Sequence, residues 1–162
     1  MIKGLHHNAY RCRDSEQTRR FYEDFLGLPL AHTLWIRETK TGRSTQALHT
    51  FYRLDDGSFL AFFEVPDMPF EFKPQHDFDL HIALEVDESV LQPMMDKGKA
   101  RGIETRGISE HGMIRSIYFR DPNGYVIELA AKQPAHARMM DPALSDARAE
   151  LDRWQAAKGR AG

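Results

Sequence analysis

From Lys3 to Arg13 bulky apolar and polar residues alternate with the two-residue period of a half-buried strand, and the alternation stops at Asp14-Ser15. Asp14 is placed to cap a helix, with Gln17 in the capping-box position three residues on. Phe21, Tyr22, Phe25 and Leu26 then recur at helical spacing as far as Gly27, a residue suited to the left-handed turn after a helix. Three apolar runs follow: Leu30 to Ile36, Gln46 to Leu54 and Ser58 to Val65. Asp55-Asp56-Gly57 joins the last two as a hairpin signal, so the first half predicts βαβββ.

Pro66, Pro69 and Pro74 interrupt any periodicity between Pro66 and Phe78, which reads as a linker. The pattern then restarts. Leu80 to Val86 predicts a strand, and Val90, Leu91, Met94 and Met95 place a helix over Glu88 to Ala100 ahead of Gly102. Ile103 to Ile108, Met113 to Arg120 and Tyr125 to Ala131 predict three more strands, the last two joined by Asp121-Pro122-Asn123-Gly124. The fold class is therefore α+β, with two βαβββ modules. Module one is residues 1–66, the linker 67–78 and module two 79–133, together one domain spanning 1–133. The repeat shows in residues too, since His7-Asn8-Ala9 answers to His81-Ile82-Ala83 and each half closes on a strand bearing a glutamate. Residues 134–162 form a C-terminal extension: Pro134 breaks the pattern, and Asp141 to Lys158 predicts a polar helix with Leu144, Leu151 and Trp154 near one face.

Composition narrows the partners. With 162 residues, 41% hydrophobic content and a formal charge of −2, the chain can build a core and lacks the basic stripe that nucleic acid demands. The first residues lack a signal-like apolar core, and no apolar run approaches the ~20 residues that span a bilayer, so a cytoplasmic location without membrane partners is expected. Cys12, the single cysteine, lies in an alternating segment and reads as a small buried hydrophobe.

Candidate chemistry sits at equivalent places of the two halves. His7 and His81 open the first strands, and Glu64 and Glu128 stand on the last ones. Curled sheets facing each other would let all four side chains converge on one divalent ion, and imidazole plus carboxylate suits Zn, Ni, Fe, Mn or Co. The competing reading is a set of hydrogen-bonded strand histidines and solvated strand-end glutamates. Pairing of His and Glu in both halves favours the metal.

Several motifs resemble the vicinal oxygen chelate superfamily, which takes in glyoxalase I, extradiol dioxygenases, fosfomycin-resistance enzymes, methylmalonyl-CoA epimerase and bleomycin resistance proteins. They are Leu5-His6-His7-Asn8-Ala9 with Asp14, the run from Phe21 to Leu30, His81 to Asp87, and Tyr118 to Leu129 with its Asp-Pro-x-Gly-x-x-x-Glu element. The resemblance implies two modules in a curled, cup-shaped mixed sheet around a metal. It implies ligands at His7, Glu64, His81 and Glu128, a small-molecule substrate and a homodimer. Only one of the adjacent residues His6 and His7 can enter the cup, and the alignment of Ala9 with Ala83 favours His7.

One scaffold hosts several chemistries. A glyoxalase-like lyase or isomerase would polarise a carbonyl of a substrate with vicinal oxygens and pass through a metal-bound enediolate, with Glu64 or Glu128 as the base. Arg11 stands where glyoxalase I carries an arginine for the glutathione carboxylate, though an exposed strand charge explains it equally. The segment after Glu64 lacks the Asn-Trp element seen there. An Fe(II) extradiol-type dioxygenase is the alternative: Tyr118 precedes Glu128 by the separation those enzymes show, and His111 lies near their outer histidine, although an acid-base histidine on the strand Ser58 to Glu64 is missing. A third reading is a non-catalytic, bleomycin-resistance-like binder with Trp35, Phe51, Tyr52, Phe59, Phe62 and Phe63 walling a groove. Arg11, Phe51 and Phe62 are the expected substrate contacts.

Overall fold

The chain's computed structural model describes residues 1–158, in the order β1, α1, β2, β3, β4, β5, α2, β6, β7, β8, α3, α4. Contacts divide it into two units, Met1–Ile82 with Arg120–Val126, and Ala83–Phe119 with the chain from Ile127 onward.

In the first unit β1 (Tyr10–Arg11), β4 (Phe59–Glu64), β3 (Ser44–Arg53) and β2 (Leu30–Glu38) form a sheet in that order. β1 runs parallel to β4, while β3 is antiparallel to both its neighbours. The strand predicted from Lys3 shrinks to Tyr10–Arg11 plus an isolated bridge between His7 and Phe59. Asn8 explains the break: its side-chain oxygen accepts the Ala61 amide at 3.1 Å, taking the place of a main-chain carbonyl in the ladder.

α1 (Ser15–Arg19) starts where Asp14 accepts the Gln17 amide at 2.7 Å. It runs on as a π-helical turn, Arg20–Phe25, closed by the Leu26 amide reaching back to the Phe21 carbonyl at 3.0 Å, and ends at Gly27 with φ +86°. This stretch buries Phe21, Tyr22 and Phe25, and the Tyr22 ring lies 4.6 Å from that of Phe62 and 5.5 Å from that of Tyr52. Each such aromatic side chain contributes roughly 1.5–3 kcal/mol of burial.

The turn Asp121–Tyr125 belongs to the same unit. The buried Asp121 carboxylate accepts the Asn123 and Tyr125 amides at 2.8 Å and the Tyr22 hydroxyl at 2.9 Å. Burial nonetheless lifts its carboxyl above the usual range, with these hydrogen bonds opposing the shift. Gly124, at φ +99°, allows the close approach of the linker, because a Cβ there would collide with the Lys73 carbonyl. The linker carries no strand or helix and is pinned along its length: Arg13 donates to the Phe72 carbonyl at 3.1 Å, and Arg120 to the Gln75 carbonyl at 3.0 Å.

The other sheet, β5-β8-β7-β6, is made of β5 (His81–Glu85), β8 (Val126–Lys132), β7 (Ile114–Arg120) and β6 (Thr105–Glu110), most of whose residues belong to the second unit. α2 (Glu88–Ala100) buries Leu91, Met95 and Gly98. At Gly98 a Cβ would stand 2.6 Å from both the Phe119 ring and the Thr105 hydroxyl, so only glycine permits this packing distance. β6 starts and ends two residues later than predicted, β7 starts one residue later and ends at the predicted Arg120, and the bounds of α2 agree with the prediction.

Beyond β8 lie α3 (His136–Met139) and α4 (Ala147–Lys158). α4 begins later than the predicted Asp141, because Asp141 holds a turn by accepting the Ala143 amide at 2.8 Å and Ser145 caps the helix by accepting the Ala147 amide at 3.0 Å. Leu151 and Trp154 are exposed. The end of the extension predicted over 134–162 lies outside the described residues. Among the described residues no helix is long and apolar enough to cross a membrane.

Candidate functional site

Strand alternation gives the first sheet two different faces. Pairing of His49 with Phe63 and of Phe51 with Ala61 puts these residues, with Phe59, on one face; Leu48, Thr50 and Tyr52 share the other with Leu60, Phe62 and Glu64. The second of these faces lies under α1 and its π-helical continuation, as the Tyr22–Phe62 contact shows. His7 joins the first, with its ring 5.5 Å from that of Phe51 and 5.9 Å from that of His49. His7 is exposed, and its Nδ1 lies 2.7 Å from the Nδ1 of His6.

His49, which the sequence reading passed over, lies on this same face. The residue is 5% exposed, and its ring stacks on Phe63 at 3.6 Å and 12° and meets Phe51 in a T-shaped contact at 4.2 Å. Its Nδ1 donates to the Phe62 carbonyl at 3.1 Å. Burial pushes the imidazole below its ordinary pKa, and neighbouring His7 adds to this while the carbonyl opposes it. The signal for finding it was its alternation with Phe51, which becomes informative only once β3 is registered against β4.

Three expected site residues have other roles in this geometry. Glu64 is one residue out of phase with the His7 face, and its Oε2 accepts the Ser15 amide at 2.7 Å at the start of α1. On the His7 face β4 offers Phe59, Ala61 and Phe63, so the equivalence of Glu64 with Glu128 suggested by the repeat does not extend to side-chain direction. Phe62 is 0% exposed beneath Tyr22, as is Tyr52, which withdraws both from any substrate-lining wall; Phe51 remains on the open face. Arg11 spans to the linker, where its Nη2 donates to the Val65 carbonyl at 3.0 Å and the Met68 carbonyl at 2.8 Å, with the guanidinium 5.1 Å from the Phe70 ring centre. That is a structural use. Cys12 is buried as expected, and burial pushes its thiol up to about 11.

The second sheet assembles a polar chain. Glu128, 4% exposed on β8, accepts the Tyr118 hydroxyl at Oε1 over 3.2 Å, and His111 Nε2 lies 2.9 Å from that hydroxyl. The Arg106 guanidinium sits 5.1 Å from the Tyr118 ring centre. Lys132 pairs with Glu85 at 2.6 Å, and two-residue periodicity places Glu128 on the Lys132 side of β8 and His81 on the Glu85 side of β5. His81 Nδ1 donates to the Asp77 carbonyl at 2.8 Å, which makes Nε2 the lone-pair nitrogen of the neutral ring. Among the described residues no three His, Cys, Asp or Glu side chains already stand close enough together to hold an ion.

Comparisons with known proteins converge. The chain is 26% identical over 140 residues to metallothiol transferase FosB of Shouchella clausii (strain KSM-K16), covering 80% of each protein. Among solved structures it resembles the fosfomycin resistance protein FosX of Listeria monocytogenes in complex with Mn(II) and 1S,2S-dihydroxypropylphosphonic acid, at TM-score 0.61 and 23% identity over 85% of this chain and 98% of that one. A glyoxylase/bleomycin resistance protein/dioxygenase domain from Frankia sp. EAN1pec gives TM-score 0.64 and 17% identity over 82% of this chain and 100% of its own. Residues 4–129 match the family as a whole, and the chain belongs to the Glyoxalase/Bleomycin resistance protein/Dioxygenase superfamily.

Proposed function

We propose that the protein is a divalent-metal enzyme whose ion is held by His7, His81 and Glu128, and that it acts by Lewis-acid chemistry on a small substrate with two neighbouring oxygens. The observation that carries this reading is the Glu128–Tyr118–His111 chain. A buried carboxylate is retained where its charge is used, and here a phenol and an imidazole hold it in place. The donors suit such an ion: His81 is tethered through Nδ1 as metal-bound histidines commonly are, and two nitrogens with one carboxylate match Zn, Ni, Fe, Mn or Co. When bound, the ion polarises a substrate oxygen and acidifies the group beside it.

The chain's own residues do the rest. Tyr118 orients Glu128 through Oε1, and the His111 ring fixes the Tyr118 hydroxyl, so a proton has a path among the three. Glu64, engaged at α1, takes neither the ligand nor the base role. Phe51 supplies an apolar wall beside His7. The names of the relatives support the substrate class: FosB is a metallothiol transferase, and FosX binds a vicinal diol phosphonate with Mn(II). A glyoxalase-like lyase or isomerase and a thiol transferase are the two Lewis-acid variants, and a cytoplasmic homodimer completes the reading.

Extradiol-type ring cleavage is the second reading, favoured by the Tyr118–Glu128 hydrogen bond and by a three-ligand set that leaves a seat for O₂. The test is anaerobic metal identification followed by turnover assays. Catechols with O₂, 2-oxoaldehyde–thiol adducts, and phosphonates with a thiol separate the three chemistries. Wild-type protein that stays empty after metal repletion refutes the enzyme and leaves the bleomycin-resistance-like binder.

A further inference from the structure

We infer that α4 is a self-association surface: two copies of this chain pair their α4 helices antiparallel, with Leu151 of each copy against Trp154 of the other. This gives the homodimer of the preceding section a contact surface, and it rests on that part of the reading alone, not on the metal.

α4 is uncovered. Among the described residues none on this helix is buried, and Leu151 and Trp154 are 48% and 62% exposed. A helix of 12 residues is marginal in water by itself, because most helical stability comes from packing an apolar face. Met139, Met140 and Leu144, just ahead of it in the chain, are exposed as well. The segment follows residues 4–129, over which the superfamily matches, so the superfamily's own fold does not account for it.

Spacing selects a second copy as the partner. Ala147, Leu151, Trp154 and Lys158 fall four, three and four residues apart, along one side of a helix. That spacing reads the same in both directions, so a two-fold axis lays Leu151 against Trp154 and Ala147 against Lys158.

Charge selects the direction. In the first half Asp146, Glu150 and Asp152 stand against Arg148, a net −2, whereas Arg153 and Lys158 give the second half +2. Parallel helices would set like charges side by side, and antiparallel ones set each half against its opposite. The ion pairs within the segment, Arg148 with Asp152 and Arg153 with Glu150 and Asp146, involve none of the four seam residues. With three acids and three bases from Asp146 to Lys158, there is no net charge to draw the helix to an acidic protein or an anionic membrane. A seam of four residues on a helix roughly 18 Å long is small for an interface, which sets the affinity in the micromolar range.

Sedimentation equilibrium of the full chain is expected to show a monomer–dimer equilibrium at micromolar concentration. Trp154→Glu and Leu151→Glu are each expected to weaken it at least about 10-fold, and Phe78→Glu, which replaces an exposed aromatic residue elsewhere, to leave it unchanged. Near-ultraviolet circular dichroism checks that each variant folds. Mild oxidation with glutathione disulfide reads the direction: the double variant Ala147→Cys, Lys158→Cys is expected to form a disulfide-linked dimer, and neither single variant is. Crosslinking of Ala147→Cys alone overturns the antiparallel arrangement. A wild-type dimer that both glutamate variants leave intact overturns this surface while the homodimer stands. A wild-type chain that stays monomeric overturns the surface and the homodimer together, and its sedimentation with anionic lipid vesicles would assign α4 to a membrane instead. Stoichiometric metal binding by such a monomer leaves the ligand reading untouched.

Discussion

The two modules share one element order and place their closing glutamates in opposite ways. On β4, Glu64 points to the helix-covered face and accepts the Ser15 amide; on β8, Glu128 joins Tyr118 and His111. A single position along a strand separates a helix-capping carboxylate from a candidate ligand, because alternate side chains leave opposite faces. The helices differ as well. The first module's helix packs through Phe21, Tyr22 and Phe25, whereas α2 comes close enough to its sheet for Gly98 to lie on the Phe119 ring. A duplicated scaffold therefore preserves topology without preserving roles.

The largest effect is expected from exchanging the glutamates. Glu128→Gln should weaken metal binding by about 100-fold or more, as should His81→Ala, while Glu64→Gln should bind metal as wild type does; titration with Ni(II) and Mn(II) reads this directly. Equal losses in both glutamate variants would restore the symmetry of the two modules and remove the distinction drawn here.

Packing comes next. Gly98→Ala should destabilise the fold by roughly 1–3 kcal/mol through overpacking against Phe119 and Thr105, read as a lower urea midpoint. A neutral result would mean that α2 shifts easily on its sheet.

Glu64→Ala, which removes the acceptor at the α1 N-terminus, should cost about 1 kcal/mol by the same measurement. No change in midpoint would show that the Ser15 amide finds water equally well.

The smallest effect is a pH dependence in metal-free protein. The folded-state pKa of His49 is depressed below its unfolded value, so its contribution is present above the unfolded pKa and is lost as pH falls through the folded one. Between pH 7.5 and 5, wild type should lose more stability than His49→Phe. Parallel curves for the two proteins would contradict the depressed pKa.

Much of the architecture was legible because it is encoded locally. Asp14 caps α1, Gly27 ends the π-helical turn, Gly57 makes the β3–β4 hairpin, and Glu88–Ala100 forms the predicted helix; each depends on neighbours within a few residues. His81 and Glu128 stand out by motif and Tyr118 and His111 by their spacing from Glu128; hydrogen bonds join the last three. Local pattern failed where the side of a strand mattered. Phe51 and Phe62 are both aromatic strand residues, yet one lies on the open face and the other is sealed beneath Tyr22. Arg11 resembled a ligand-binding arginine until the path of the linker brought the Val65 and Met68 carbonyls to it.

By itself the sequence determined the βαβββ repeat, the capping of α1 by Asp14 and the motifs of the superfamily, all of which depend on short-range spacing. Only the tertiary structure decided that Glu64 serves α1, that Asp121 anchors Tyr22, and that His49 stands beside His7. Those outcomes depend on the register between strands distant in sequence, and a shift of one residue there reverses the face of every side chain on the strand.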